Sequence, residues 1–468
     1  MAKQFCLTPV DVPEVETKNR RICTSIPHRD AVKIIEELRE YEPISMSGQP
    51  PVVWDKAVGY NVYDRWGNKW IDFSSCVLVA NTGHCNPNVQ KAVSDMVDHQ
   101  LLNNYCFPSE IRAKLVKKIS EFAPEGLDKV FLLSTGSEST ECAIKLARTY
   151  GQKVGGKKKI KIVTFDDAFH GRTMGSQMAG GTPAGKTWIV NVDKDFHNVP
   201  FPNSFKYEWA DPAHPDYSDE KCFEAIMKPL VEQGVDFDEI SGIMTETFQG
   251  GWAELISVGV ARILRDFCDK HNIVLIFDEV QAAFGRTGKR FGFEHMEIVP
   301  DLVCCGKGIS SSLPLSCVIG KKEIMDIYGP NQMTSTHTGN PLSCAATLAS
   351  IDYLLEHDLI SHVSGMESVC RDKLEQIRKK YKDVVGFVKG VGLVWAIVFT
   401  KSGTKEIDPD LAHDVVESAM RKGVLFFAPV GTGATLKVSP PLVIDKEALL
   451  EGLSVLDEAI GEALANHD

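Results

Sequence analysis

Four short segments of the chain carry residue types that could together form one chemical site. The first, STGSES at 134–139, is a Gly-containing turn between an apolar run and a helical pattern. Backbone N–H groups at such a helix N-terminus can bind an anion, and the hydroxyls of Ser137, Ser139 and Thr140 can add donors. The same segment also fits a plain N-cap, in which Ser137 or Ser139 satisfies its own helix.

Two further segments place a carboxylate and a lysine at the ends of apolar runs. FDEVQ at 277–281 puts Asp278 where a buried strand reaches the ligand-facing edge of a parallel sheet. CGKG at 305–308 puts Lys307 between two glycines, where desolvation would lower the pKa of its amine and free it as a nucleophile. A helix-capping role for Asp278 and a surface-loop position for Lys307 are the alternatives.

The fourth segment, FHGRT at 169–173, supplies an aromatic ring and an arginine. Phe169 could stack on a planar ring, and Arg172 could hold a carboxylate with two hydrogen bonds. Alone, the segment also fits a surface loop.

Together the four segments offer an anion cradle, a carboxylate, a nucleophilic amine and a stacking ring. Pyridoxal 5′-phosphate requires these parts for its phosphate, its protonated pyridine nitrogen and its aldehyde.

A competing pattern lies at 180–187, where GGTPAGKT matches the nucleotide-binding P-loop GxxxxGK[ST]. That motif needs a strand before it and a helix after it. No apolar strand precedes it, and the residues that follow, 188–192, have the pattern of a strand. The context therefore argues against a P-loop, which stays a distant alternative.

Short apolar runs alternate with longer helical patterns through the middle of the chain. This alternation predicts an α/β domain over residues 75–340 with a mainly parallel sheet. The predicted strands are 129–134, 160–165, 242–246, 273–278, 302–305 and 316–320, and the predicted helices between them are 138–150, 219–233 and 258–270.

The two ends of the chain predict a smaller α+β domain. Residues 60–73 have the pattern of a hairpin with its turn at 65–68. A long helix begins at Pro341, and 384–399, 436–438 and a helix over 446–465 follow it. We expect the hairpin to pack with the C-terminal part, which makes a discontinuous domain of residues 1–74 and 341–468.

Composition excludes several classes of protein. The 468 residues include 51 Lys+Arg and 63 Asp+Glu, so the formal charge of 51 − 63 = −12 argues against a nucleic-acid binder. The 13 cysteines form no CxxC pair and predict no metal site. Without an apolar leader or a run of about 18 apolar residues, the sequence predicts a cytoplasmic protein with no membrane contact. The lysine run 157–159 predicts a solvated turn.

The ordered set TGSES, FHGRT, DEVQ, CGKG and GNPL resembles that of the class III pyridoxal-phosphate aminotransferases. This group contains the GABA, ω-amino-acid, acetylornithine and ornithine aminotransferases, and the likeness runs from the hairpin at 60–73 to PPLVI at 440–444. It implies fold-type I, in which a large domain with a mainly parallel seven-stranded sheet, flanked by helices, joins a small α+β domain. It also implies a homodimer or dimer of dimers with shared active sites.

The resemblance implies cofactor-binding and catalytic roles for individual residues. Lys307 would bond covalently to the cofactor and move protons, and Asp278 would partner the pyridine nitrogen. The other cofactor contacts that it implies are Gly136 and Ser137 at the phosphate, Phe169 and Val280 on the ring faces, His170, Glu246, Gln281 near the ring's 3-oxygen, and Thr336, which would reach the phosphate from the neighbouring subunit. Core packing stays the alternative for His170.

Two departures from the family pattern bear on the substrate. Members that use glutamate commonly carry a glutamate where this chain has Gly251, and an arginine where it has Lys437. A lysine offers a point charge rather than a bidentate fork, and without the glutamate it needs no switch partner. The resemblance also implies that Arg172 binds a substrate carboxylate and that Cys76 contributes to the substrate site.

These departures favour a donor whose acid group lies away from its reactive amine. The sequence therefore predicts ping-pong transfer of an amino group from GABA, β-alanine, taurine or a similar ω-amino acid to 2-oxoglutarate or pyruvate. An acetylornithine or ornithine aminotransferase is one alternative. A pyridoxal-phosphate-dependent aminomutase or epimerase on the same scaffold is another.

Overall fold

The computed structural model describes residues 3–466, which divide into two compact units. The larger unit comprises Asn88–Gly250 and Glu254–Ile360, and the smaller unit comprises the described residues up to Pro87, Gly251–Ala253 and those from Ser361 onwards.

The boundaries of the larger unit differ from the expected 75–340 at both ends. Residues 75–87 belong to the smaller unit, since Ser75 Oγ donates to Ser439 O (2.6 Å) and Leu442 N–H to Asn81 O (2.9 Å). The helix that begins at Pro341 belongs to the larger unit, where it packs against the helix Glu110–Phe122.

Sixteen strands are present among the described residues. They are β1 (Val15–Glu16), β2 (Arg21–Ile22), β3 (Lys56–Val58), β4 (Asn61–Tyr63), β5 (Lys69–Asp72), β6 (Lys129–Leu133), β7 (Lys161–Phe165), β8 (Phe196–Val199), β9 (Ile240–Glu246), β10 (Val274–Asp278), β11 (Leu302–Cys305), β12 (Ser316–Gly320), β13 (Val385–Val391), β14 (Val394–Phe399), β15 (Val424–Leu425) and β16 (Thr435–Val438).

Thirteen α-helices accompany them in the same part of the chain. They are α1 (Arg29–Tyr41), α2 (Ser75–Leu78), α3 (Pro87–Asp98), α4 (Glu110–Phe122), α5 (Gly136–Gly155), α6 (Met174–Ala179), α7 (Asp219–Glu232), α8 (Val258–Lys270), α9 (Lys322–Met325), α10 (Pro341–Glu356), α11 (Leu359–Lys380), α12 (Pro409–Arg421) and α13 (Lys446–Asn466).

The larger unit is built on a seven-stranded sheet in the order β6-β12-β11-β10-β9-β7-β8. The strands from β11 to β8 run parallel, and β12 is antiparallel to both of its neighbours. Because β9, β10 and β11 are parallel and in register, Glu246 lies beside Asp278 and Asp278 beside Cys304 at one edge of the sheet. This carboxyl edge is where the sequence predicted a site, and the α/β prediction is confirmed.

The smaller unit joins the two ends of the chain. The predicted hairpin is formed by β4 and β5, and β15 from the C-terminal half adds to β5 in parallel. A second sheet of three antiparallel strands, β13-β14-β16, lies in the same unit. Main-chain hydrogen bonds therefore tie residues 60–73 to the C-terminal part of the chain, so the unit is discontinuous in sequence.

One local prediction was wrong, and another was confirmed only in part. Residues 188–192 form neither strand nor helix, and Val190 is 90% exposed, so the GGTPAGKT segment also lacks the helix that a P-loop requires. Within the lysine run, Lys157 and Lys158 lie in an exposed turn as predicted, but Lys159 is buried, and its Nζ donates to Asp238 O (3.1 Å) and His271 O (2.8 Å). Among residues 3–466, no helix has both the length and the apolar character needed to span a membrane.

Candidate active site

A cavity of about 150 Å³ opens at the carboxyl edge of the seven-stranded sheet. It brings together residues from all four segments that the sequence singled out. Its lining includes nine residues predicted to bind the cofactor: Gly136, Ser137, Phe169, His170, Glu246, Asp278, Val280, Gln281 and Lys307.

Helix α5 presents its N-terminus to this cavity with unused N–H groups. Thr135 caps the helix by accepting from Glu138 N–H (3.2 Å), and Glu138 Oε2 accepts from the N–H groups of Ser134 (2.9 Å) and Thr135 (3.0 Å). The capping residue is therefore Thr135, and Ser139 instead donates to Gly136 O (2.7 Å). The N–H groups of Gly136 and Ser137 find no acceptor within residues 3–466, which suits an anion such as phosphate.

Two glycines allow three loops to meet around Val280. A Cβ at position 136 would lie 3.0 Å from Val280 Cγ1, and one at position 306 would lie 3.3 Å from the same atom. The Cβ at 306 would also lie 3.5 Å from Gly136 Cα. Larger side chains at 136 or 306 would push Val280 away, so the glycines set how closely the loops that carry Ser137, Val280 and Lys307 approach one another.

Asp278 is a buried carboxylate with both oxygens engaged. Its Oδ1 accepts from Val280 N–H (3.0 Å), and its Oδ2 lies 2.8 Å from His170 Nδ1. Burial lowers the pKa of His170, but the hydrogen bond to Asp278 and the charges of Asp278 and Glu246 outweigh it, so the pKa lies above its ordinary value. His170 Nε2 is also buried, and it has no hydrogen-bond partner in the described chain.

Glu246 is a second buried carboxylate at the same edge. Its Oε2 accepts from Phe169 N–H (3.1 Å) and its Oε1 from Gly250 N–H (3.0 Å). Burial raises the pKa of Glu246 to about 7, and the charge of Asp278 adds to this rise, while His170 opposes it. Glu246 therefore gives up or takes a proton near neutral pH, whereas two fixed charges beside each other would repel.

Lys307 projects the one amine of the cavity lining. It is half-buried, it has a left-handed backbone (φ 44°), and its Nζ makes no hydrogen bond to any residue from 3 to 466. Burial lowers the pKa of this amine, although the charges of Asp278 and Glu246 oppose the change. A lowered pKa leaves a larger fraction of the amine neutral and nucleophilic at neutral pH.

Two predicted residues of the larger unit do not line the cavity. Arg172 is exposed, and its guanidinium lies 5.4 Å from the centre of the Phe169 ring, which does line the cavity. Thr336 is exposed in the segment that precedes α10 and is absent from the lining of its own chain's cavity.

The three remaining predicted residues belong to the smaller unit. Cys76 is exposed on α2, a single turn whose residues all have φ between 49° and 63°, the left-handed region. A Cβ on Gly251 would lie 3.1 Å from Gly431 Cα, so this position has little room for a side chain. Lys437 is buried in β16.

Three side chains that line the cavity were not predicted from the sequence: Thr135, Phe248 and Ala282. A signal for Thr135 was available, because the spacing of Thr135 and Glu138 is that of a capping box, which marks the residue that opens a helix. Phe248 lies in a buried stretch just beyond β9 and resembles any other core aromatic in the sequence.

The donor set of the cavity fits pyridoxal 5′-phosphate. The free N–H groups of Gly136 and Ser137 suit its phosphate, and the buried Asp278 suits a protonated ring nitrogen. Lys307 supplies an amine for the aldehyde, and Phe169 and Val280 supply apolar surface for the ring.

The chain belongs to the class III aminotransferases. The family model "Aminotransferase class-III" matches residues 44–460, which is most of the chain. The protein is therefore an enzyme, a pyridoxal-phosphate-dependent aminotransferase of fold-type I.

Several relatives are similar to the chain over most of its length. It is 31% identical to the 4-aminobutyrate aminotransferase of Mycobacterium leprae, over 95% of this chain and 99% of that one. It is 33% identical to the acetylornithine aminotransferase of Methanocaldococcus jannaschii, over 91% and 98%. A solved amine transaminase from an uncultivated Pseudomonas species, in its PLP-bound form, has a TM-score of 0.79 and 26% identity over 88% of this chain and 95% of that one.

Proposed function

We propose that this enzyme transfers the amino group of an ω-amino acid, such as GABA, β-alanine or taurine, to a 2-oxo acid, either 2-oxoglutarate or pyruvate. Relatives named for GABA and for acetylornithine are about equally similar, so their names do not decide the donor. Arg172 carries the proposal. Its exposed guanidinium stacks on Phe169, a cavity-lining ring, and offers a fork for a carboxylate or sulfonate beside the cavity rather than within it.

The smaller unit supports the same class of donor. A Cβ at Gly251 would lie 3.1 Å from Gly431 Cα, so the glutamate that many glutamate-using members carry there would require Gly431 to shift by a few tenths of an ångström. We propose that the buried Lys437, a point charge where many members carry an arginine, suits a single acid group rather than a bidentate carboxylate contact.

Different residues of the chain have separate roles in proton transfer and in cofactor binding. The cofactor, when bound, supplies an aldehyde and an electron-withdrawing ring. We propose that Lys307 Nζ, which has a lowered pKa, receives the proton from the substrate carbon and returns it. Asp278 would keep a proton on the ring nitrogen, the N–H groups of Gly136 and Ser137 would bind the phosphate, and Gln281 would serve the ring's 3-oxygen.

We also propose a homodimer or dimer of dimers in the cytoplasm. Thr336 is exposed and does not line its own chain's cavity, which suits a contact with the phosphate in a neighbouring subunit. All thirteen cysteines are free thiols in the structure, which suits a reducing compartment.

One experiment tests the donor. Each candidate donor is added to the holoenzyme without any acceptor, and the loss of the cofactor's absorbance band is followed. GABA, β-alanine or taurine should convert the band, and Arg172→Ala should raise the KM for these donors about tenfold with little change in kcat.

Two outcomes would favour the rival functions. Conversion by ornithine or N-acetylornithine alone would overturn the proposal in favour of that aminotransferase, which the similarity to the Methanocaldococcus jannaschii enzyme makes the second candidate. Net turnover of a single amine without any 2-oxo acid would identify an aminomutase or epimerase.

A further inference from the structure

We infer that His170 is a positioning residue that acts through Nδ1 alone, holding the Asp278 carboxylate in the orientation that the cofactor nitrogen requires. The inference deepens the proposed function, because it rests on the assignment of Asp278 to that nitrogen. The role is indirect, since His170 acts on Asp278 rather than on the substrate.

The first support is the geometry of the carboxylate. Asp278 Oδ2 lies 2.8 Å from His170 Nδ1, while Oδ1 accepts from Val280 N–H (3.0 Å). A carboxylate held at both oxygens cannot rotate about its last bond without losing a hydrogen bond. Val280 N–H fixes one oxygen from the carboxylate's own loop, and His170 fixes the other from the loop that follows β7.

The second support is the way in which His170 itself is held. Its carbonyl oxygen accepts from Thr140 Oγ1 (2.8 Å) on α5, and its ring is buried. The main chain of His170 is thereby anchored to the helix whose N-terminus opens the cavity. A buried ring on a fixed backbone has little freedom to move, so its hydrogen bond holds the Asp278 carboxylate in one orientation.

The third support is the contrast between the two ring nitrogens. Nδ1 faces Asp278, whereas Nε2 is buried and has no hydrogen-bond partner among residues 3–466. Because Asp278 can only accept when ionised, Nδ1 must carry the proton of this hydrogen bond. The charged groups that face the ring are Asp278 and Glu246, which favour its protonation, and Lys186, which opposes it.

The contrast gives a matched pair of variants. His170→Asn places an amide N–H close to where Nδ1 lies, and His170→Gln places one nearer to Nε2. His170→Phe keeps the ring and removes both nitrogens. In equilibrium dialysis of the cofactor-free protein against pyridoxal 5′-phosphate, His170→Asn should stay within about threefold of the wild-type Kd, while Gln and Phe should weaken binding about tenfold or more.

A spectroscopic readout separates positioning from packing. The pH titration of the bound cofactor's absorbance band should follow the wild type in His170→Asn and be displaced in His170→Gln and His170→Phe. Thermal unfolding of each cofactor-free variant shows whether it is folded. Equal Kd values and equal titrations for Asn and Gln would overturn the inference.

Two controls keep the outcomes distinct. If Asp278→Asn binds and titrates the cofactor as the wild type does, the proposed role of Asp278 fails, and the inference fails with it. If Asp278→Asn is impaired while His170→Gln and His170→Phe behave as wild type, only the inference fails. Should the variants not fold, ¹⁵N-histidine NMR of the cofactor-free wild type decides, because an unprotonated Nδ1 at His170 contradicts the proposed hydrogen bond.

Discussion

The two edges of the seven-stranded sheet use the same residue types in opposite ways. At the amino edge, where β7, β9 and β10 begin, the buried Lys159 donates to two main-chain carbonyls, and Lys161 is hydrogen-bonded to Glu239. At the carboxyl edge, Lys307 makes no hydrogen bond within the described chain. Burial lowers the pKa of both Lys159 and Lys307, so a lowered pKa alone does not separate them.

Hydrogen bonding separates the two edges. A lysine whose amine donates two hydrogen bonds to main-chain carbonyls, as Lys159 does, stabilises the fold and is not free to attack another molecule. A lysine left without acceptors beside two carboxylates keeps its reactivity, at a cost to stability. Between these two lysines, the missing hydrogen bonds rather than the lowered pKa distinguish the residue that lines the cavity.

The largest expected effect comes from removing the amine at the carboxyl edge. Lys307→Met should lower kcat by about 10⁴-fold or more, because the chain loses both its nucleophile and its proton carrier. The fold should be unchanged, since no hydrogen bond is lost. Aminotransferase assays and circular dichroism would check both points, and near-normal turnover would exclude the role proposed for Lys307.

The buried glutamate at the carboxyl edge and the ion-paired glutamate at the amino edge should change protein stability in opposite directions as pH rises. Glu246 titrates near pH 7 in the folded chain, above its ordinary value of 4.5. The stability that it contributes is therefore fully present below pH 4.5 and is lost as pH rises through about 7, a change of up to about 3 kcal/mol. In the cofactor-free protein, Glu246→Gln should flatten the decline of the unfolding midpoint between pH 5 and pH 8.

Glu239 at the amino edge is the control for this prediction. The hydrogen bond from Lys161 lowers the pKa of Glu239, so its contribution is present above pH 4.5 and is lost as pH falls through its folded pKa. Glu239→Gln should leave the decline between pH 5 and pH 8 as it is in the wild type. If the two variants respond alike, the electrostatic difference between the edges is not real.

The smallest expected effect on activity comes from the amino edge. Lys159→Met removes the hydrogen bonds to Asp238 O and His271 O and should lower the free energy of unfolding by about 1–3 kcal/mol. The kcat should stay at the wild-type value. Urea denaturation and steady-state kinetics provide the two measurements. A folded Lys159→Met enzyme that has lost its activity would contradict the claim that the amino edge serves stability alone.

Sequence patterns were sufficient where one physical signal dominated. Continuous apolar runs gave the central strands of the sheet, and β11 and β12 have the predicted bounds. The edge strand β8 (FHNV) was missed, because a partly exposed strand needs no apolar run. Residues 188–192 have the sequence pattern of a strand, but all of them except Ile189 are exposed, and no neighbouring strand pairs with them in the described chain.

Charge patterns were less informative than apolar ones. Lys159 belongs to a run of three lysines, which usually marks solvent, and only the fold brings the carbonyls of Asp238 and His271 to its amine. The hydrogen bond between His170 and Asp278 joins residues 108 positions apart, and no local pattern announces it. Motif spacing located the site, but the partners within it depend on tertiary structure.

The packing of Gly136 and Gly306 around Val280 has a consequence for altering this enzyme. Mutant libraries that are designed to accept new amine donors should keep all three residues unchanged. They should vary Arg172 and its exposed neighbours instead. A larger residue in place of either glycine would move apart the loops that carry the phosphate-binding N–H groups and the Lys307 amine. A substitution intended to widen the substrate range would therefore weaken cofactor binding first.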